Sequence, residues 1–460
     1  MENTTVLLVE LMMENKTDVQ PPSSTYFYAF VSLFLLLAIE FGRRSVLRSS
    51  SKSKARLSYP VQGQCERGYE GIREAFSKNF ELGWEKSGGA VAVYHRGKLV
   101  ADLYGGYADF ESRRLWRENT LAVTFSSTKA VASLCIAIMV DRGHLAYDDF
   151  VVKYWPKFGK HGKDKITIQH VLSHMAGLAY LDSPIKFEDA QSNSDEIARL
   201  FEEQVPNWTP GEQVGYHAIT FGWLIDQIVR RADPQHRSLG QFYREEVQAK
   251  IGNVDYHIGL PQSESCRVAR LTLPNLSQRI SEYLHNPKAV NYVRYIKDFM
   301  NGGLLSRVEK TPEWLRFVFE MTLNNPELHS LEQGAVLGIG TARALASIFQ
   351  NAIMDCRFFQ HKSTLTQFLT PFVFKPDIVT GAVVERGNGL MFSPFTLGKH
   401  KFVMQGHAGV GGQNIKFDPE HELVFCYLSN GLKAGFGDSA RTFVALRDAI
   451  YTAVVEQEST

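Results

Sequence analysis

The sequence predicts an α/β protein of the α+β kind: one antiparallel sheet built from strands at both ends of the body, flanked by helices, with a mainly helical domain inserted between them. Three observations carry this. Two apolar runs flank a tight turn near residue 95, strand patterns return only after residue 400, and the long interval between reads as helices broken by Pro, Gly and Asn. At 460 residues with 44% hydrophobic content, the chain can bury a large core.

The chain opens with a tail, 1–25, and then YFYAFVSLFLLLAI, Tyr26 to Ile39, hydrophobic throughout apart from Ser32. Glu40 follows, and then a basic run with Arg43, Arg44, Arg48, Lys52, Lys54 and Arg56. Residues 26–42 read as a single-pass membrane anchor, short against the roughly 20 apolar residues a full span requires. A cleaved signal peptide is the rival reading, but its basic flank would precede the apolar run. The positive-inside rule places the body in the cytoplasm. Glu2, Glu10 and Glu14 favour an endomembrane over a mitochondrial destination, since mitochondrial presequences are poor in acids.

Residues 43–63 read as a basic linker and 64–460 as the body, with its α/β part at 64–147 and 300–460 and its mainly helical part at 148–299. Cys65 to Leu82 has helical periodicity, and Ala90 to Tyr94 and Lys98 to Tyr104 form a hairpin about His95-Arg96-Gly97. TFSSTKAVASLCIAIMV, Thr124 to Val140, starts polar and continues as a helix with Val131, Leu134, Cys135 and Ile138 on one buried face. Late strands are expected at Lys401 to Gln405, Gln413 to Phe417 and Leu423 to Leu428, and a last helix at about Asp438 to Val455. A cleft between the sheet and the helical part is the natural place for a site.

Composition excludes several classes. The 50 basic and 49 acidic residues nearly cancel, which leaves no basic surplus for nucleic acid. The cysteines Cys65, Cys135, Cys266, Cys356 and Cys426 are too scattered for a zinc site or a redox dithiol. No metal and no cofactor is expected. Cys135 and Cys426 lie in apolar runs and read as small buried hydrophobes.

The polar start of the Thr124 helix carries the chemistry. Ser126 and Lys129, three apart at a helix mouth, share a face, and a desolvated lysine amine can take a serine proton. Free N–H groups of the first turn suit an oxyanion. The S-x-x-K pattern alone is weak, because Ser49/Lys52, Ser51/Lys54 and Ser183/Lys186 also satisfy it and Ser126 would serve equally as an N-cap. The context is more specific: ITIQHVLSHMAGL (Ile166 to Leu178), PGEQVGYHAITFGWLIDQIVRR (Pro210 to Arg231) and FVMQGHAGVGGQNIKFDPE (Phe402 to Glu420) follow in order.

With FSSTK, these segments resemble the ordered landmarks of the serine β-lactamase, penicillin-binding protein and esterase superfamily, above all the class C-like carboxylesterases and eukaryotic β-lactamase-related proteins. The resemblance covers about Gln64 to the C-terminus and implies a β-lactamase/transpeptidase-like fold. It implies Ser126 as the acylated nucleophile, Lys129 as its proton acceptor and Tyr216 as the tyrosine of the Y-x-N element. His407-Ala408-Gly409 takes the place of K-T-G, and the resemblance implies that His407 and Gly409 border the substrate and that the amides of Ser126 and Val410 form the oxyanion hole.

Ala218 stands where the penicillin-interacting members carry asparagine and His407 where they carry lysine. Both departures favour an ester or amide substrate, small or peptidic, over a β-lactam. His170, Ser173 and His174 read as packing and hydrogen-bonding groups. Asn301-Gly302-Gly303 and Gly338 to Phe349 resemble family segments, a loop at the cleft and a helix. Trp208, Trp223 and Phe392 are candidates to line an acyl pocket, or core. Two other readings stand beside the hydrolase: a serine peptidase, and a catalytically weak scaffold or homo-oligomeric assembly protein at a membrane. Retention of Ser126, Lys129 and Tyr216 favours the enzyme.

Overall fold

The computed structural model describes residues 59–459 apart from 288, 319 and 436. The expected anchor, 26–42, and most of the linker lie outside the described residues. Among those described, no helix is long and apolar enough to cross a membrane.

The body starts earlier than residue 64. Strand β1 (Val61–Cys65) takes up the end of the expected linker and pairs with β3, Val61 opposite Gly105 and Cys65 opposite Ala101. Its VQGQC sequence is polar because it is an exposed edge strand, which hides it from a hydrophobicity pattern. Helix α1 (Glu70–Glu81) follows, and then the hairpin of β2 (Gly88–His95) and β3 (Lys98–Asp109). Arg96 and Gly97 both have positive φ, 51° and 78°, the condition for a two-residue turn that matches strand twist. The short β4 (Arg114–Leu115) pairs with β3, and β5 (Ala122–Val123) leads into helix α2 (Thr128–Asp141).

The middle of the chain is mainly helical, with α3 (Thr220–Ala232), α4 (Leu276–His285) and α5 (Tyr292–Met300) among its helices. It also contains one strand the sequence pattern did not yield, β6 (Tyr256–Ile258), too short for an alternation to register. Then come β7 (Gly338–Gly340) and α6 (Ala342–Phe349). Three further unpredicted strands follow, β8 (Pro371–Pro376), β9 (Val383–Gly387) and β10 (Met391–Leu397). Prolines at 371, 376 and 394 argue against strands, yet β8 is a sheet edge, and β9 pairs with only the first two residues of β10. The expected late strands are β11 (His400–Ala408), β12 (Asn414–Asp418) and β13 (Leu423–Ser429), and α7 (Arg441–Glu458) closes the chain.

The main sheet is antiparallel, in the order β1-β3-β2-β13-β12-β11-β10-β9-β8. The two ends of the body thus meet at the β2–β13 pair, where Ala92 lies opposite Cys426. Alternation divides the side chains of these strands between two cores. Leu423, Phe425 and Tyr427 join Val91 and Val93 against α1 and α7, whereas Val424, Cys426 and Leu428 join Ala90 and Ala92 against α2 and α6. Helix α2 has more than the single buried face expected of it: every residue from Thr128 to Met139 is buried, so it is the central helix of the larger core.

A second sheet, β5-β7-β6, anchors the start of α2. Thr124 Oγ1 donates to Gly338 O (2.9 Å) and lies 3.0 Å from the Tyr256 hydroxyl, while Gly338 N–H donates to Thr128 Oγ1 (2.9 Å). Only glycine fits at 338, since a Cβ would overlap the Tyr256 hydroxyl and lie 2.6 Å from Thr128 Oγ1. Gly338→Ala is therefore expected to lower stability by about 1–3 kcal/mol, measured by urea unfolding; an unchanged midpoint would contradict this packing.

Candidate active site

Between β5 and α2 the chain turns sharply through Phe125–Ser127. Phe125 has φ +46°, a left-handed conformation costing about 1–3 kcal/mol in a non-glycine residue. Burial of its ring, 5.7 Å from that of Phe317, and a 2.6 Å hydrogen bond from Thr128 Oγ1 to its carbonyl hold it there. Ser126 is thereby presented at the mouth of α2.

Lys129, one helical turn on, is completely buried. Its Nζ donates to Ala218 O (2.7 Å) and Ala335 O (3.0 Å) and lies 3.5 Å from Ser126 Oγ. The Tyr216 phenol also interacts electrostatically with Ser126. The three residues expected from the sequence to form the site are thus in mutual contact, with Lys129 Nζ 4.9 Å from the Tyr216 ring centroid.

Tyr216 is clamped from its backbone and its ring. Its N–H donates to Asp377 Oδ1 (3.2 Å), and Asp377 Oδ2 accepts from Arg386 Nη2 (3.0 Å). The Arg386 guanidinium lies 5.3 Å from the Tyr216 ring centroid, and the His174 ring packs at 4.6 Å. The end of β11 closes against the serine turn. His407 O accepts from Ser127 Oγ (3.2 Å), and a Cβ on Gly409 would stand 2.8 Å from Thr124 O. Glycine at 409 thus permits the approach that sets the half-buried Val410 beside the Phe125–Ser127 turn.

Other candidates separate from the site. Ser183 and Lys186 are exposed. His170 completes a capping box with Thr167, and Ser173 Oγ donates to Gly387 O (3.0 Å), both structural tasks. Trp223 and Phe392 are core residues, whereas Trp208 packs beside Tyr216. Asp377 and Arg386 belong to no sequence motif that would mark them. Among the described residues, no group of three or more His, Cys, Asp or Glu is arranged to hold a metal ion.

Comparison with known proteins gives a matching family model, Beta-lactamase, over residues 76–449. The chain belongs to the Beta-lactamase family. It is 29% identical over 388 residues to the esterase/β-lactamase LipL of Mycobacterium tuberculosis, covering 81% of this chain and 83% of LipL. Its fold is similar to the crystal structure of a family VIII carboxylesterase, with TM-score 0.73, 27% identity, and coverage of 86% of this chain and all of that one. A penicillin-binding protein homologue from Caulobacter crescentus matches with TM-score 0.70 and 28% identity, over 86% of this chain and all of that one. As a member of this family, the chain is a serine hydrolase of the β-lactamase type.

The electrostatics of this family member fit a lysine base. Burial, with the Arg386 cation adding to it, holds the Lys129 amine well below its ordinary pKa. A neutral amine has two N–H donors, which the Ala218 and Ala335 carbonyls accept, leaving its lone pair towards Ser126. Burial raises the Tyr216 phenol, its interaction with Ser126 opposing the rise, so Tyr216 stays protonated. The histidines around them are neutral. Burial lowers His174 and His407 well below their ordinary values and His217 to about 3. His217 Nδ1–H donates to Gly215 O (2.6 Å) and its Nε2 accepts from Leu178 N–H (2.9 Å), which pins the loop that carries Tyr216.

Arg386 is the charged neighbour that acts on Lys129, so Arg386→Met is expected to make the amine easier to protonate. The acid limb of the kcat/KM profile should then move to higher pH; an unmoved limb would contradict this electrostatic role.

Proposed function

We propose that the protein hydrolyses carboxylic esters through an acyl-enzyme on Ser126. The observation that carries this reading is Lys129: a fully buried amine, bonded to two carbonyls and set 3.5 Å from the serine oxygen. In the cycle, Ser126 Oγ attacks the ester carbonyl as Lys129 takes its proton. The amides of Ser126 and Val410 hold the oxyanion. The proton passes through Tyr216 to the leaving alkoxide as the C–O bond breaks, and water activated by the same pair then releases the acid.

Three features support an ester over a β-lactam. His407 is neutral, its Nδ1–H donating to Ala408 O (2.7 Å), so it offers no cation to a ring carboxylate. Ala218 supplies a methyl group where an amide would grip substrate. LipL is named an esterase as well as a β-lactamase, and the structural neighbour is a carboxylesterase. A scaffold without catalysis has no need of a neutral buried lysine, whose desolvation is costly. We further place the enzyme on the cytoplasmic face of an endomembrane, on the strength of the 26–42 apolar run and its basic flank.

Ser126→Ala is expected to cut hydrolysis of a water-soluble butyrate ester by at least about 10³-fold with an unchanged thermal melt, and Tyr216→Phe to cut kcat by about 10²–10⁴-fold. For the wild type, kcat/KM should level off well below pH 10, since a base with an ordinary lysine pKa of about 10.4 would keep the rate climbing to there. A rate still rising at pH 10, or full activity in Ser126→Ala, would contradict the assignment.

A further inference from the structure

Nine of the thirteen large hydrophobic side chains that stand exposed among the described residues fall in two stretches, 276–300 and 371–383. On α5, Val293, Ile296 and Met300 are 63%, 53% and 67% exposed at a spacing that puts them on one helical face. Leu284, near the end of α4, is 74% exposed. Phe374 on the edge strand β8 and Val383 on β9 are 67% and 57% exposed. Arg294 joins the stretches: from α5 its Nη2 donates to Ile378 O (2.9 Å), and its guanidinium packs against Gly381, two residues before Val383. Solvent-facing surfaces rarely gather so much apolar area, and edge strands ordinarily carry charge instead.

The chain outside the described residues indicates what covers this face. Residues 1–58 join the body at Tyr59, whose hydroxyl donates to Lys86 O (3.2 Å). Trp84, two residues before, lies 6.4 Å ring to ring from His285, the last residue of α4. The described body therefore begins, at Tyr59, near the α4 end of the exposed face, and the sequence before it holds the apolar run Tyr26 to Ile39 and the basic run from Arg43 to Arg56. Residues 40–58 span at most about 65 Å fully extended. Apolar side chains beside a basic segment suit a bilayer interface with anionic headgroups.

The same face lies close to the site. Ile378 and Val379 follow Asp377, which accepts the Tyr216 N–H, and Val379 shares a small apolar cluster with Tyr180, Val308, Leu304 and Tyr216. We propose that the α4–α5 face and the β8–β9 edge rest on the bilayer that the N-terminal run enters, and that the site takes lipophilic esters from it. The substrate half rests on the hydrolase reading above; the docking half does not.

The test uses the full-length protein and its Ile296→Asp/Phe374→Asp variant, both sites being exposed enough to accept charge. Each is assayed on a soluble butyrate ester and on a long-chain ester embedded in phosphatidylcholine–phosphatidylserine vesicles. The variant should keep the soluble rate within about twofold and lose about tenfold or more of the vesicle rate. An unchanged vesicle rate, or a wild type active on the soluble ester alone, overturns the proposal. Amide hydrogen exchange of full-length Ser126→Ala, with and without vesicles, reads docking apart from catalysis. Vesicles should protect 292–300 and 371–383. No protection overturns docking, and so does protection that follows protein concentration without vesicles, which would assign the face to a second copy of the chain. Protection without ester turnover by the wild type would uphold docking and defeat the hydrolase reading.

Discussion

The site depends on one constraint, the complete burial of an amine with no carboxylate bound to it. A charged ammonium in that position would forfeit its hydration without an ion pair in return, at a cost of several kcal/mol. The protein meets Lys129 with two backbone carbonyls and the Arg386 cation, an environment in which the neutral base is the stable form. The neutral base costs stability. In the unfolded chain this lysine is protonated up to about pH 10.4, so between the depressed folded pKa and that value folding releases its proton. That penalty is about 1.4 kcal/mol per unit of depression. It shrinks as pH rises towards the unfolded value and disappears above it, because the folded pKa is the lower of the two.

The rest of the molecule holds that arrangement in place. Lys129 lies on α2, buried on all sides between the main sheet and the helical region, so its backbone has little freedom. The strained Phe125 turn fixes Ser126 relative to it, and the Thr124–Gly338–Thr128–Tyr256 hydrogen bonds fix the turn. The second carbonyl partner, Ala335, precedes β7 by three residues, which ties the lysine to the same small sheet. Asp377 and Arg386, on either side of the β8–β9 connection, hold Tyr216 from the opposite end of the main sheet.

The parts of this that were legible in sequence share a physical character. Apolar runs bounded by turns announced the hairpin, α2, β11 to β13 and α7, all of which pack into a continuous core. Ser126, Lys129 and Tyr216 were legible because ordered motifs and a family resemblance accompanied them. β1 was obscured by its polar edge position, β8 and β10 by their prolines, and β6 and β7 by their three-residue length. Arg386 was silent for a different reason. Its role lies in pairing with Asp377 across a short connection and in facing the Tyr216 ring of a distant segment, relations that no local pattern encodes.

The central claim is that Ser126 is a nucleophile made reactive by Lys129. The most direct measurement is intact mass after brief exposure to a fluorophosphonate at neutral pH, for the wild type, Ser126→Ala and Lys129→Met. The account predicts one adduct on the wild type, mapped to Ser126, none on Ser126→Ala, and labelling of a folded Lys129→Met slowed by orders of magnitude. A Lys129→Met protein that labels as fast as the wild type, or a wild-type adduct on any other residue, would contradict it.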